Sequence, residues 1–277
     1  MRTSGGDDVL KAARGALLDA LEALRDHRDS VIVIGAQAIY LHTGAADVAL
    51  AEFTKDSDLA LDVRSLAGDP LIEDLMQKAN FYLNPVSNQP GAWLSPRGIP
   101  VDLMVPEALA GAGSRRYGKI PPHADKATRR AVGLEAAIID NMQMSISPLS
   151  AGDTRMYSAK VAGPTALLVA KLHKLGERQA APGRLMDKDA HDVYRLLVAV
   201  PTEEIAIVMR RLVTDEMAGS VTRQALAYLQ DLFAIGPKGT GSAMAGQAEE
   251  GVGDPETVAS AVAVLAADLL QASDASS

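Results

Sequence analysis

Three short apolar runs set the terms for this chain: VIVIG at 31–35, DLALDV at 58–63 and IPVDLMV at 99–105. The first is β-branched and ends in Gly, the second alternates, and the third follows the turn sequence SPRG, so each reads as a strand of a small, largely buried sheet. The third carries an acid among apolar neighbours, Asp102, and Asp58 opens the second. A carboxylate inside a core strand is costly unless it is paired or metal-bound. The bland alternative is that Asp102 lies on an edge strand and faces water.

Helical patterns surround these strands. Leu10, Leu17, Leu18, Leu21 and Leu24 recur at helical spacing over 8–26, AQAIYLHTG reads as a short helix stopped by Gly44, and 69–80 is helical in pattern. A further strand is expected at 92–95. After TRMYSAKVAG, read as strand and turn, comes PTALLVAKLHKLGER, whose Pro164 opens a densely apolar helix. Helices are also expected at 188–200, 202–213, 216–234 and 255–271. The Gly-rich stretch 236–254 (GPKGTGSAMAGQAEEGVGD) reads as a flexible linker. The expected fold class is α+β: a mixed-sheet domain over 1–150, a mainly helical domain over 151–235, a linker over 236–254, and a C-terminal helix and tail over 255–277.

With 277 residues, 48% hydrophobic and 22% charged, the chain has material for a sizeable core. It has no cysteine, which excludes disulfide scaffolds, thiolate zinc sites and cysteine nucleophiles. The opening MRTSGGDDVLKAARG lacks a signal-peptide h-region, and VIVIGAQAIYL is too short and too polar to span a bilayer, so a cytoplasmic protein without membrane contact is expected. The net charge of −8 argues against bulk attraction to nucleic acid. Residues 115–130 nevertheless hold six Lys/Arg and one Asp, either a solvated loop or a local phosphate-binding patch made by Arg115, Arg116, Lys119, Arg129 and Arg130. Met142, Met144 and Met156 read as core filler.

The acids form an ordered set. Gly35-Ala36 closes the first strand, Thr54-Lys55-Asp56-Ser57-Asp58 leads into the second, and Asp102 lies in a later one. If the second strand begins at Asp56, Asp56 and Asp58 project from one face. Three carboxylates converging there suit hard divalent cations, and two such ions would clamp an in-line phosphoryl displacement. In the helical part, Lys171 has Leu167, Leu168 and Leu175 on its helical face, and needs an anionic partner or a route to water. Asp189 and Asp192, three apart, share a face near the core, where they could hold Lys171 or Arg178, orient a metal-bound water or accept a proton from an acceptor hydroxyl; the bland alternative is a structural salt-bridge network. His42, His173 and His191 lack zinc-ligand spacing. The chain has no P-loop, no Gly-x-Gly-x-x-Gly and no Ser nucleophile elbow.

VIVIGAQAIYLH, FTKDSDLALDV, PVDLMVP, GPTALLVAKLHKLGER and KDAHDVYRLL, taken in order over roughly 30–200, resemble the AbiEii/MenT-type nucleotidyltransferases of the DNA polymerase beta-like superfamily. The resemblance implies a bilobed fold and transfer of a nucleoside monophosphate from an NTP, with Mg²⁺ (or Mn²⁺), to the 3′ end of tRNA by the toxin of a toxin–antitoxin pair. It implies metal binding by Asp56, Asp58 and Asp102, catalytic roles for these with Lys171 and Asp189 or Asp192, and contact with the nucleotide by Gly35, Ala36, Thr54, Lys55, Ser57 and Lys171. Two positions depart from the pattern. Ala36 stands where a second Gly or a Ser is usual, and Phe53 where an Arg is frequent. The competing expectations are nucleotidyl transfer to an aminoglycoside-like small molecule or a protein side chain, and a catalytically silent binding module.

Overall fold

A computed structural model of the chain describes residues 4–44, 55–112, 116–179, 181, 183 and 185–274. The apolar runs do become strands: β1 (Val31–Ile34), β2 (Ser57–Leu61) and β5 (Pro100–Pro106). They lie side by side, β1 antiparallel to β2 and β2 parallel to β5. Helix α1 (Ser4–Ala23) precedes them, and α2 (Gly35–Thr43) starts directly from the end of β1. Helix α3 (Ile72–Lys78), β3 (Tyr82–Leu83) and β4 (Ala92–Leu94) come between β2 and β5; β6 (Arg129–Ala131), α4 (Glu135–Ile139), β7 (Asn141–Ile146) and β8 (Tyr157–Ala162) follow. The sheet runs β3-β4-β5-β2-β1-β8-β7, with β6 pairing with β5. The fold is therefore α+β with a mixed, open sheet.

Alternation along the strands assigns the faces. Ser57 pairs in register with Val101, and Leu59 with Leu103; this set faces α1, since the Ser57 hydroxyl donates to the Ala13 carbonyl at 2.9 Å. Asp58, Ala60, Asp102 and Met104 take the opposite face. The core is built on both sides: Leu17 and Leu18 of α1 are fully buried with Leu59, Val101 and Leu103 on the face towards it, and Ile32, Ile34 and Ala60 are buried on the other face.

The chain divides into two compact units. One holds α1 through Ala38 and continues from β2 to Ala162; the other takes the end of α2 from Ile39 and everything from Gly163 onward. The expected boundary at 150 falls short, because β8 pairs parallel with β1 and so belongs to the sheet. The second unit is helical: α5 (Pro164–Arg178), α6 (Asp187–Ala199), α7 (Thr202–Thr214), α8 (Gly219–Leu229) running into a π-turn at Gln230–Ala234, α9 (Thr240–Gln247) and α10 (Pro255–Asp274).

The expected linker is a packed element. Residues 240–247 are helical, and Gly241, Ser242, Ala245 and Gly246 are buried. Small residues here permit close approach rather than freedom: a Cβ at Gly241 would strike the Phe233 ring, and one at Gly246 the Pro255 carbonyl. Just beyond, buried Glu249 accepts a 2.6 Å hydrogen bond from His191 of α6. Helix α10 is long and apolar enough to cross a membrane by length and composition. Its Val258, Val262, Ala266 and Leu269 are buried, against α6, α7 and α9, as in a soluble-type fold.

Met142 and Met156 are not core filler; they are 46% and 69% exposed. For Met142 the reason is topological, since β7 is the terminal strand of the sheet, paired through β8 alone; Met156 lies in the coil just before β8, and Met144 is half-buried. If Glu249 fastens the Gly-rich segment, Glu249→Ala strands a buried imidazole without its acceptor. It should cost about 1–3 kcal/mol in urea unfolding and open residues 236–254 to limited proteolysis.

Candidate active site

Asp58 and Asp102 stand directly opposite one another, in register, on the central parallel strands β2 and β5. Neighbouring strands are about 4.8 Å apart, so the two carboxylates leave the sheet as adjacent groups on the face away from α1. Both are half-buried. The same row continues to Ile34 of β1 and Ala92 of β4, which gives the pair apolar flanks. Ile34 is the last residue of β1, and Gly35 begins α2.

Gly35 has φ +68°, and a Cβ there would run into the Asp58 carboxylate. Only glycine lets the chain turn left-handed at this point and lets that carboxylate lie against the start of the helix. The first-turn N–H groups of α2 have no intrahelical partner and favour negative charge beside them. The site therefore combines two acids on neighbouring strands with a helix N-terminus closing one end.

Arg129 completes the arrangement. It lies on β6, which pairs parallel with β5 so that Met104 is opposite Arg129. Its guanidinium donates to Asp102 Oδ2 at 2.7 Å and to Gln89 Oε1 at 3.2 Å, and touches Met104 Sδ at 3.3 Å. Gly91, with φ +70°, lets β6 come this close: a Cβ there would meet the backbone of Leu103 and Arg129. Trp93, fully buried on β4, donates through Nε1 to the Ala127 carbonyl at 2.9 Å and pins the segment that leads to Arg129.

The other expected residues fall as follows. Asp56 is half-buried in the coil immediately before β2, two residues from Asp58. Lys55 is exposed beside it, and Ala36 is buried in the first turn of α2. Thr54 and Arg115 lie outside the described residues. Ser57 does not face a nucleotide site, because strand alternation turns its hydroxyl onto α1. Arg130 donates to the Ala110 and Gly111 carbonyls and pairs with Glu107 at 3.7 Å. The basic stretch is thus partly absorbed into this unit, with Arg116 and Lys119 on its exposed side.

The donor set fits a hard divalent cation in chemistry, since Asp58 and Asp102 offer adjacent carboxylate oxygens. Among the described residues no three His, Cys, Asp or Glu side chains are gathered as a ready ligand set. Asp102 already has a cation in Arg129. Arg129 is also the residue that sequence reasoning misassigned, because a three-residue strand in a basic stretch carries no periodic signal.

In the second unit, Lys171 of α5 is buried and sits between two acids of α6, 2.8 Å from Asp189 and 2.6 Å from Asp192. Lys174 and Arg178 also reach Asp189, at 2.8 and 3.3 Å. The helical spacing that put Lys171 on an apolar face and both acids on one face is realised. Burial alone would lower the Lys171 ammonium, and the two carboxylates outweigh it, so its pKa is raised. Burial pushes the Asp189 carboxyl up, but Lys171 and Lys174 hold it well below the ordinary carboxylate range. His173 gives its Nε2 to the Val221 carbonyl at 2.7 Å. It is a core residue, like His191.

No protein-family model, no curated protein and no solved structure matches the chain.

Two predictions follow from this geometry. Gly35→Ala should lower the melting midpoint by roughly 5 °C or more. Gly98→Ala shares the positive φ but meets open space, so it should lose less in the same circular-dichroism melts. Asp189→Asn should cost about 3–5 kcal/mol at neutral pH, because it leaves buried Lys171 with one carboxylate in place of two and removes the charge that partly exposed Lys174 and Arg178 meet at Asp189. Its folded-state pKa is depressed, so the stability it contributes is present above the unfolded value of about 3.9 and is lost as pH falls through the folded one. Chemical denaturation below about pH 4 should therefore show a flatter acid dependence in Asp189→Asn than in the wild type.

Proposed function

We propose that this protein is a nucleotidyltransferase of the AbiEii/MenT type, moving a nucleoside monophosphate from an NTP to an acceptor hydroxyl. One observation carries the reading: Asp58 and Asp102 are adjacent in register at the end of a strand–glycine–helix turn, where Gly35 makes room for a carboxylate. The resemblance across 30–200 supplies the chemistry, and this geometry supports it.

In this reading Asp58 and Asp102, with Asp56 at the mouth of β2, hold Mg²⁺ or Mn²⁺. The ion, when bound, offsets phosphate charge and lowers the pKa of the attacking hydroxyl. The N–H groups at the start of α2 receive phosphate oxygens, a task that Ala36 leaves to the backbone. Lys171 keeps the phosphate-holding role that the resemblance implies, its ammonium held charged by Asp189 and Asp192. Arg116 and Lys119 contribute to the path of an RNA backbone. The acceptor we propose is the 3′ end of tRNA, modified in the cytoplasm by the toxin of a toxin–antitoxin pair.

The Asp102–Arg129 ion pair favours a second reading, a catalytically silent module in which an arginine has replaced the cation. Incubation with each labelled NTP, Mg²⁺ and total tRNA, followed by mass analysis of the RNA, separates the two. Transfer of one nucleotide that falls on the order of 10²–10³-fold in Asp58→Asn is expected. Absence of any transfer with tRNA, small-molecule or protein acceptors would leave the silent module standing.

A further inference from the structure

The guanidinium of Arg129 occupies Asp102 Oδ2, one of the two carboxylate oxygens that this residue could offer to a cation shared with Asp58. Around it the chain has built a rigid mount. Gly91 admits β6 against β4 and β5, the Gly91 N–H donates to the Lys126 carbonyl at 2.9 Å, and Trp93 holds Ala127. A second partner lies within reach, since Nη1 already donates to Gln89 Oε1. Both members of the ion pair are partly shielded, with side chains 28% and 19% exposed. The interaction is therefore stronger than an open surface pair.

We propose that Arg129 is a positioning residue that stands in for the divalent ion. It holds the Asp102 carboxylate and relieves repulsion from Asp58 when no ion is bound. It competes with the ion for the same oxygen, so that loading requires Nη2 to leave Asp102 while Nη1 keeps its hold on Gln89. This rests on the metal-dependent reading above and goes beyond it by giving the site a built-in regulator of metal affinity. Removing the guanidinium then strengthens metal binding, a direction that damage to the fold does not produce.

The probe is Mn²⁺ alone, titrated into the full chain. Free Mn²⁺ is read by electron paramagnetic resonance, and quenching is read at Trp93, the single tryptophan of the sequence. Arg129→Gln should bind Mn²⁺ about 10-fold more tightly than the wild type, and Arg129→Lys should stay close to it. Adding Asp102→Asn should abolish the gain. If Arg129→Gln binds no more tightly while wild-type binding is lost in Asp58→Asn, the competition is disproved and the metal site survives. If neither wild type nor Arg129→Gln binds Mn²⁺, or if binding ignores Asp58→Asn, the metal-dependent reading falls and the competition with it.

Discussion

Two like charges held side by side in a sheet must be neutralised, and Asp58 and Asp102 impose that requirement on the first unit. Their spacing is fixed by the parallel register of β2 and β5 and cannot relax without unzipping the sheet. Every unusual feature nearby answers to it. Gly35 gives up its side chain so that one carboxylate can lie against a helix start. Arg129 is carried in on a three-residue strand to meet the other. Gly91 gives up its side chain so that this strand can approach. A sheet needing only stability would place apolar residues at both positions, because a buried charge pair seldom outperforms them.

The second unit treats buried charge in the opposite way. Lys171 meets two carboxylates, and Asp189 meets three cations. Opposite charges neighbour one another, and three cations against two carboxylates leave the cluster one positive charge in excess. Asp189 is engaged on every side. Asp192, with Lys171 as its ion-pair partner, is the more adaptable of the two acids that the sequence left undecided.

Much of the sheet was legible because its central strands carry strong local signals. The β-branched run at 31–34, the alternation after Asp58 and the apolar run around Asp102 each announce themselves over a few residues. Helix α5 did the same through Pro164. What escaped notice depends on partners distant in sequence. Strand β8 joins the first unit only because it pairs with β1, more than a hundred residues earlier. Strand β6 reads as a basic patch until β5 is beside it. Helix α9 reads as a linker because glycine that packs and glycine that flexes look alike in a sequence; Phe233 and Pro255 decide between them. The site followed the same division. Asp102 was visible as an acid out of place and Asp58 as half of an Asp-x-Asp pair, whereas Arg129, the side chain that makes Asp102 tolerable, was not. Ser57, read together with those acids, turns to the face covered by α1.

The outer strand of the sheet has a chemical consequence of its own. β7 reads NMQMSI, with no charge and no proline to deter a neighbour, and Met142 lies open to solvent on it. Oxidants reach such a thioether early, and conversion to the sulfoxide makes a greasy margin polar and chiral. The rim of this protein would thus keep a record of the peroxide it has met, written in sixteen-dalton steps, while the carboxylates at the centre of the sheet carry no sulfur to mark.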